Sequence, residues 1–298
     1  MKASTHDGRF HADEIFALAI LKLIYPDLEI ARSRDENVYK KADIIVDVGH
    51  VYDPENLIFD HHQRSFSIIR ESGIPYASFG LVWKKYGRLL CKSTEPSEYI
   101  DSVIVQAVDA DDNGIEIFET TFDEIKFQTL SDIIESFVPR YVNDDDRVQK
   151  GFDHALKFAT SYMKRQIKLA IELFEVALPN IRVAIKDAED PRILIFHKFD
   201  KTWLNFLSRE SEEALFAIFP THRKTWAIRS VSKRGQKFEY CKLMPAEWGG
   251  RQKDFAKISG VADALYCHNG CFLAEADSLE GAEKLAIIAM EDRVSKVS

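Results

Sequence analysis

The sequence predicts an α/β protein: an N-terminal parallel-sheet domain, a helical linker and a smaller C-terminal α/β domain. Three observations predict it. Short apolar runs alternate with helix-period segments over the first third of the chain. A purely helical pattern then runs from Asp144 to Leu178. Strand-rich segments return from Ile181 and end in a closing helix. The boundaries implied are 1–143, 144–180 and 181–298, and a chain of 298 residues is long enough for both domains to bury a core.

Each element follows from its local pattern. Glu14 to Leu23 reads as a helix because Ile15, Leu18, Ala19 and Leu23 share one face. "LEIARSR", "ADIIVDVG" and "LIFD" read as strands buried on both faces, as in a helix-covered parallel sheet. Pro96 and Ser97 open a helix through "EYIDSVIVQAVDA". In the linker, Phe152, Leu156, Ala159, Met163, Ile167, Ala170 and Phe174 recur every three or four residues, and Pro179 is expected to end the run. "IRVAIK", "RILIFH", "ALFAIF", "TWAIRSV", "KFEYCKL" and "ALYCH" read as further strands, and Ser278 as the cap of the last helix.

Composition narrows the function. No apolar stretch reaches the roughly 18 residues of a membrane span, and the polar start "MKASTHDGRF" lacks a signal sequence, so a cytoplasmic protein is expected. Cys91, Cys241, Cys267 and Cys271 are too scattered for a disulfide framework, and the Cys267–His268–Cys271 grouping lacks a second pair for structural zinc. The net charge of −8 argues against bulk electrostatic binding to nucleic acid. The charge is uneven, however: His222 to Lys257 holds ten Lys or Arg, Lys237 among them, against three acids.

Four polar clusters fall at the ends of predicted elements, where an open parallel sheet binds ligands. They are His6, His11 and Asp13; Asp47; Asp60, His61 and His62; and Asp109 with Asp112. Taken singly, His6 reads as a surface histidine, Asp13 as a helix-dipole acid, and Asp47 or Asp112 as turn residues. Three ionisable groups in a row after a buried strand are costlier to explain without a ligand. Mixed imidazole and carboxylate donors suit Mn²⁺, Zn²⁺, Co²⁺ or Fe²⁺ better than Ca²⁺ or an all-oxygen Mg²⁺ site. The donors outnumber the needs of one zinc ion, and two ions sharing a carboxylate would use them all.

"THDGRFHADE", "DIIVDVGHVYDP", "FDHHQRSF" and "VDADDNGI", with "EWGGRQ", "SGVADALYCHNGCF" and "EGAEKLA" near the C-terminus, carry a family resemblance. The chain resembles the Myg (melanocyte proliferating gene one) exonuclease family of the DHH phosphoesterase superfamily. The resemblance implies a DHH-type catalytic domain, two divalent ions (Mn²⁺ first, then Mg²⁺, Co²⁺ or Zn²⁺), and 3′–5′ trimming of single-stranded RNA or short oligonucleotides. It implies His6 and His11 as ligands of one metal, Asp47 as the bridge, and Asp13, His61 and Asp109 as ligands of the other. Asp112 is the alternative to Asp109. His62 is then the donor to the scissile phosphate, and Asp60 orients a histidine. His11 stands where many members of the superfamily carry aspartate.

The basic C-terminal half fits a substrate clamp on this reading. Arg251 after Gly249 and Gly250, His268 at a strand end and Arg64 after the DHH triplet are the candidate substrate contacts. Trp203, Trp226 and Trp248 read as core residues before base-stacking ones. No membrane partner is expected, and homo-oligomers remain open. Competing readings are a hydrolase of small phosphoanhydrides or nucleotides, and a non-catalytic nucleotide sensor.

Overall fold

The structure is a computed structural model that describes residues 1–119, 121, 124, 127–140, 144–236 and 238–292. The boundary expected at Asn143 and the cation Lys237 lie outside these residues. The chain divides into two units, 1–172 and 173–298.

The first unit contains β1 (Lys2–Thr5), α1 (Ala12–Ile24), β2 (Glu29–Arg32), α2 (Glu36–Tyr39), β3 (Ile44–Val46), β4 (Tyr52–Asp53) and β5 (Ile58–Phe59). Helices α3 (Ser78–Cys91), α4 (Thr94–Ile100), α5 (Gln106–Asp112), α6 (Leu130–Glu135) and α7 (Asp145–Glu172) complete it. Its strands are ordered β2-β1-β3-β5-β4. The first four are parallel, with Ala3 opposite both Ile30 and Ile44, and Val46 opposite Phe59. The fifth, β4, runs antiparallel to β5. A tight turn at Pro54–Asn56, closed by Leu57 at φ 58°, is too short for the crossover a parallel pair needs.

Helix α1 is buried from Ala12 to Leu21 because it lies between α3 and α7. Helix α7, read from the sequence as part of a linker, packs on α1. Its apolar stripe, from Val148 through Phe152, Ala159 and Met163 to Ala170, belongs to the core of the first unit. Phe152 meets Phe10 edge to face at 5.7 Å, and Tyr162 meets Phe16 at 6.2 Å. A 3.6-residue period shows that a stripe will be buried, but not which partner buries it.

Two wide turns alter the expected helices. A π-type turn, Asp101–Val105, links α4 to α5, and another, Leu173–Ala177, leads from α7 directly into α8 (Leu178–Asp187). Pro179 therefore does not end the helical run. It occupies the first turn of α8, where a missing N–H costs little. "IRVAIK" is consequently helical rather than a strand.

The second unit continues with β6 (Ile193–Ile195), α9 (Trp203–Glu210), β7 (Phe216–Pro220), β8 (Trp226–Ser230), α10 (Phe255–Ser259), β9 (Ala264–Cys267), β10 (Leu273–Ala276) and α11 (Leu279–Glu291). Its sheet, β6-β7-β8-β10-β9, is mixed: β6 and β7 are parallel and the other neighbours antiparallel. The expected "KFEYCKL" strand is reduced, among the described residues, to a bridge from Tyr240 to Ser232. Ser278 caps α11 by accepting the Gly281 N–H, and its hydroxyl donates to Asp263.

Candidate metal centre

The parallel strands of the first unit end in loops that bring the histidines and acids together. His6 follows β1, Asp47 follows β3, and Asp60-His61-His62 follows β5. His11 is the N-cap of α1, Asp13 and Glu14 lie in its first turn, and Asp112 is the last residue of α5. Asp47 is held at φ 55°, a left-handed conformation that costs energy for a residue with a Cβ. That turn aims its carboxylate back over the strand ends.

Asp47 sits at the centre. Its Oδ2 lies 3.4 Å from His6 Nε2 and its Oδ1 lies 3.4 Å from His61 Nε2. The buried Ser78 hydroxyl donates to Oδ1 at 2.9 Å and fixes its orientation. His61 Nε2 is also 3.2 Å from Asp112 and 3.8 Å from Asp13, yet makes a hydrogen bond to none of the three carboxylates. Both carboxylate oxygens of Asp13 are buried without a hydrogen-bond partner. A buried, unpartnered carboxylate is expensive, and a cation removes the cost. Ligands about 2.0–2.2 Å from an ion stand roughly 3 Å apart, which matches the spacing here. The donor set therefore fits divalent cations.

The donor atoms of His6, His11 and Glu14 lie within 4.8 Å of one another, as do those of His11, Asp13 and Asp112, of Asp47, His61 and His62, and of Asp13, Glu14 and Asp47. These groups share members, so the cluster is continuous. Glu14 was missed by sequence reasoning. Its carboxylate accepts the His11 N–H at 2.8 Å and lies 3.1 Å from His6 Nε2. The available signal was its position three residues after the His11 cap, a capping-box spacing that directs the side chain back over the helix start.

Burial and charge oppose each other in the cluster. Burial lowers the affinity of His6 for its proton, but the Asp47 and Glu14 carboxylates outweigh it and push the pKa up to about 10. Burial and the nearby charges of Asp47 and Asp112 hold the Asp13 carboxyl well above the usual range. Burial would raise Asp47 too, yet His6 and His61 hold it below that range. Asp60 accepts from the His62 backbone N–H at 2.9 Å and bonds His62 Nδ1 at 2.8 Å, which raises the pKa of that half-exposed ring.

Asp109, one of the two α5 acids expected as ligand alternatives, lies outside these groups. Its carboxylate accepts the Gly80 N–H at 3.0 Å and pairs with Arg70 at 2.7 Å. Burial lifts its pKa to about 7 against the pull of Arg70. A Cβ on Gly80 would collide with the Asp109 carboxylate, so glycine permits this approach of α3 to α5. Asp112, three residues later, is the acid of α5 that reaches the cluster.

The candidate substrate contacts fall in different places. Arg64 is exposed, in the loop after His62. Arg251 and His268 lie on neighbouring turns of the second unit, where Gly250 N–H donates to Cys267 O and Cys267 N–H donates to Arg251 O. The Arg251 guanidinium bonds Asp254 at 3.1 Å and the Glu247 carbonyl at 3.2 Å. His268 Nδ1 accepts the Gly270 N–H at 3.0 Å. Trp203 and Trp248 are buried in the core of this unit. Among the described residues, no helix is long and apolar enough to cross a membrane.

Comparison with known proteins shows the family of the chain. The MYG1_exonuc profile, described as "Uncharacterised protein family (UPF0160)", matches residues 2–290. A MYG1 protein of Chlamydia pneumoniae is 30% identical over 299 residues, covering 97% of this chain and 96% of the relative. A MYG1 protein of Dictyostelium discoideum is 30% identical over 316 residues, covering 95% and 94%. A protein of Mus musculus named MYG1 exonuclease is 28% identical over 331 residues, covering 99% and 86%. The chain belongs to the MYG1 family, UPF0160.

Proposed function

We propose that the protein is a divalent-metal-dependent phosphodiesterase of the DHH type that trims single-stranded RNA or short oligonucleotides from the 3′ end. The observation that carries this reading is the Asp47 carboxylate, which faces a different histidine with each oxygen while Asp13 stands unpartnered beside it. The exonuclease name of the mouse relative supports a nuclease reaction.

His6, His11 and Glu14 would hold one ion, and Asp13, His61 and Asp112 the other, with Asp47 between them. Bound there, divalent ions, Mn²⁺ first, supply Lewis acidity and a hydroxide nucleophile near neutral pH. His62 is the proton donor to the leaving oxygen: Asp60 holds its Nδ1 and keeps the ring protonated above its ordinary pKa. Arg64, Arg251 and His268 bind substrate phosphates. The protein acts in the cytoplasm.

The test is one plate containing pyrophosphate, a dinucleotide, a five-nucleotide RNA, a longer RNA and its DNA counterpart, each with Mn²⁺ at two salt concentrations. The expected result is stepwise shortening of 5′-labelled RNA. Its affinity should fall with salt by about 0.7 log units per contacted phosphate for each log unit of salt. Hydrolysis of pyrophosphate alone, insensitive to Arg251→Ala, overturns the nuclease reading in favour of a small-phosphoanhydride hydrolase. Binding without hydrolysis of any ester overturns it in favour of a sensor.

A further inference from the structure

We propose that an apolar groove beside the metal cluster binds a nucleobase, with Phe118 and Phe127 as the stacking surfaces for the base next to the scissile phosphate. The ligand class rests on the phosphodiesterase reading above.

The groove adjoins the cluster directly. A cleft of about 640 Å³ is lined by His11, Asp47, His61 and Asp112 on its metal side. Next to it lies a groove of about 840 Å³ lined by Val103, Ile115, Ile117, Phe118 and Phe127. Asp111, Ser131 and Asp132 line both, so the two share a wall. Asp111 lines that wall and precedes Asp112, which belongs to the cluster. A pocket of this size is within the range of small-ligand sites.

The lining is apolar but not closed. Ile117, Phe118 and Phe127 are 50%, 45% and 65% exposed, a concentration of apolar surface that ordinary packing would cover. The two rings meet at 5.1 Å and 63°. Aromatic faces of this kind hold single-stranded bases without regard to sequence.

Charge decides which end of a nucleotide goes where. Glu116 and Glu119 line the groove and not the metal-side cleft, whereas Asp111 and Asp132 line both. The two glutamates repel phosphate and accept hydrogen bonds from exocyclic amino groups. The phosphate is therefore directed to the cation-binding cluster and the base to the groove.

The test uses the metal-loaded full-length protein and 2-aminopurine ribonucleoside monophosphate, which carries a base and a phosphate but no diester to cleave. Quenching of its fluorescence should saturate with the native protein. Phe118→Ala and Phe127→Ala should weaken binding by roughly 5- to 150-fold, the range for one lost base stack, and Phe127→Trp should restore it. In a parallel arm, the native protein should cleave RNA with an intact terminal base better than RNA with an abasic terminus. The alanine variants should lose that preference. Unchanged 2-aminopurine affinity in folded alanine variants overturns the proposal. So does a shift in oligomeric state on sedimentation with binding intact, which would assign the groove to a second copy of the chain. Failure of the native protein to cleave any RNA overturns the nuclease reading instead, and the fluorescence arm still decides the groove.

Discussion

The two oxygens of Asp47 are divided between two histidines, with Oδ2 and Oδ1 each 3.4 Å from the Nε2 atoms of His6 and His61. A carboxylate shared in this way serves both halves of the cluster. Removing it should therefore affect more than one ion. For Asp47→Ala, metal analysis after Mn²⁺ saturation and desalting should show loss of bound metal from the two ions per chain expected of the native protein. Ser78→Ala removes only the hydroxyl that orients Asp47, so it should weaken affinity while keeping the stoichiometry. An unchanged metal content in Asp47→Ala would contradict the bridging role.

His61 and His62 are adjacent in sequence but placed for different work. His61 Nε2 is buried among three carboxylates, whereas the His62 side chain is 51% exposed and tied to Asp60. His61→Ala should lower metal content and activity together. His62→Ala should keep its metal and lower turnover by roughly 10²–10⁴. Because the folded-state pKa of His62 is raised above 6.5, a proton donor at this position stays charged to higher pH than a free imidazole. Activity should fall as pH rises through that raised value, and His62→Ala should lack this alkaline limb. Equal metal loss in both variants would refute the division.

Asp109 and Asp112 are separated by the same kind of test. Asp112→Ala should fold normally and lose metal affinity. Asp109→Asn keeps the acceptor for Gly80 but weakens the partner of the buried Arg70, which retains Asp101 at 2.9 Å. It should cost about 1–3 kcal/mol in urea unfolding with metal content retained. The opposite pattern would return the ligand role to Asp109.

Helix α7 gives a prediction about the fold. Phe152 is 1% exposed and packs on Phe10, one residue from the His11 cap. Phe152→Ala should destabilise the protein by about 3–5 kcal/mol, measured by denaturant unfolding. A surface linker would tolerate the change with almost no loss.

The fold class, the strands β2, β3 and β5, and the grouping of histidines and acids at element ends were legible in the sequence, because short apolar runs between helix-period segments carry that information locally. The residues of "THDGRFHADE", "DIIVDVGHVYDP" and "FDHHQRSF" also carried the family. Four matters were decided only by tertiary structure. The wide turn at Asp101–Val105 resets the rotation of α5, and that rotation turns Asp109 toward Arg70 and Asp112 toward the cluster. The turn at Leu173–Ala177 lets the helix continue past Pro179, so a β-like string became α8. The contact of α7 with α1, and the reach of Glu14 to His6, depend on neighbours far apart in sequence or on side-chain direction. Periodicity specifies that a face will be buried and that a helix will form. The phase of that helix, and the surface it meets, are set only when the whole unit packs.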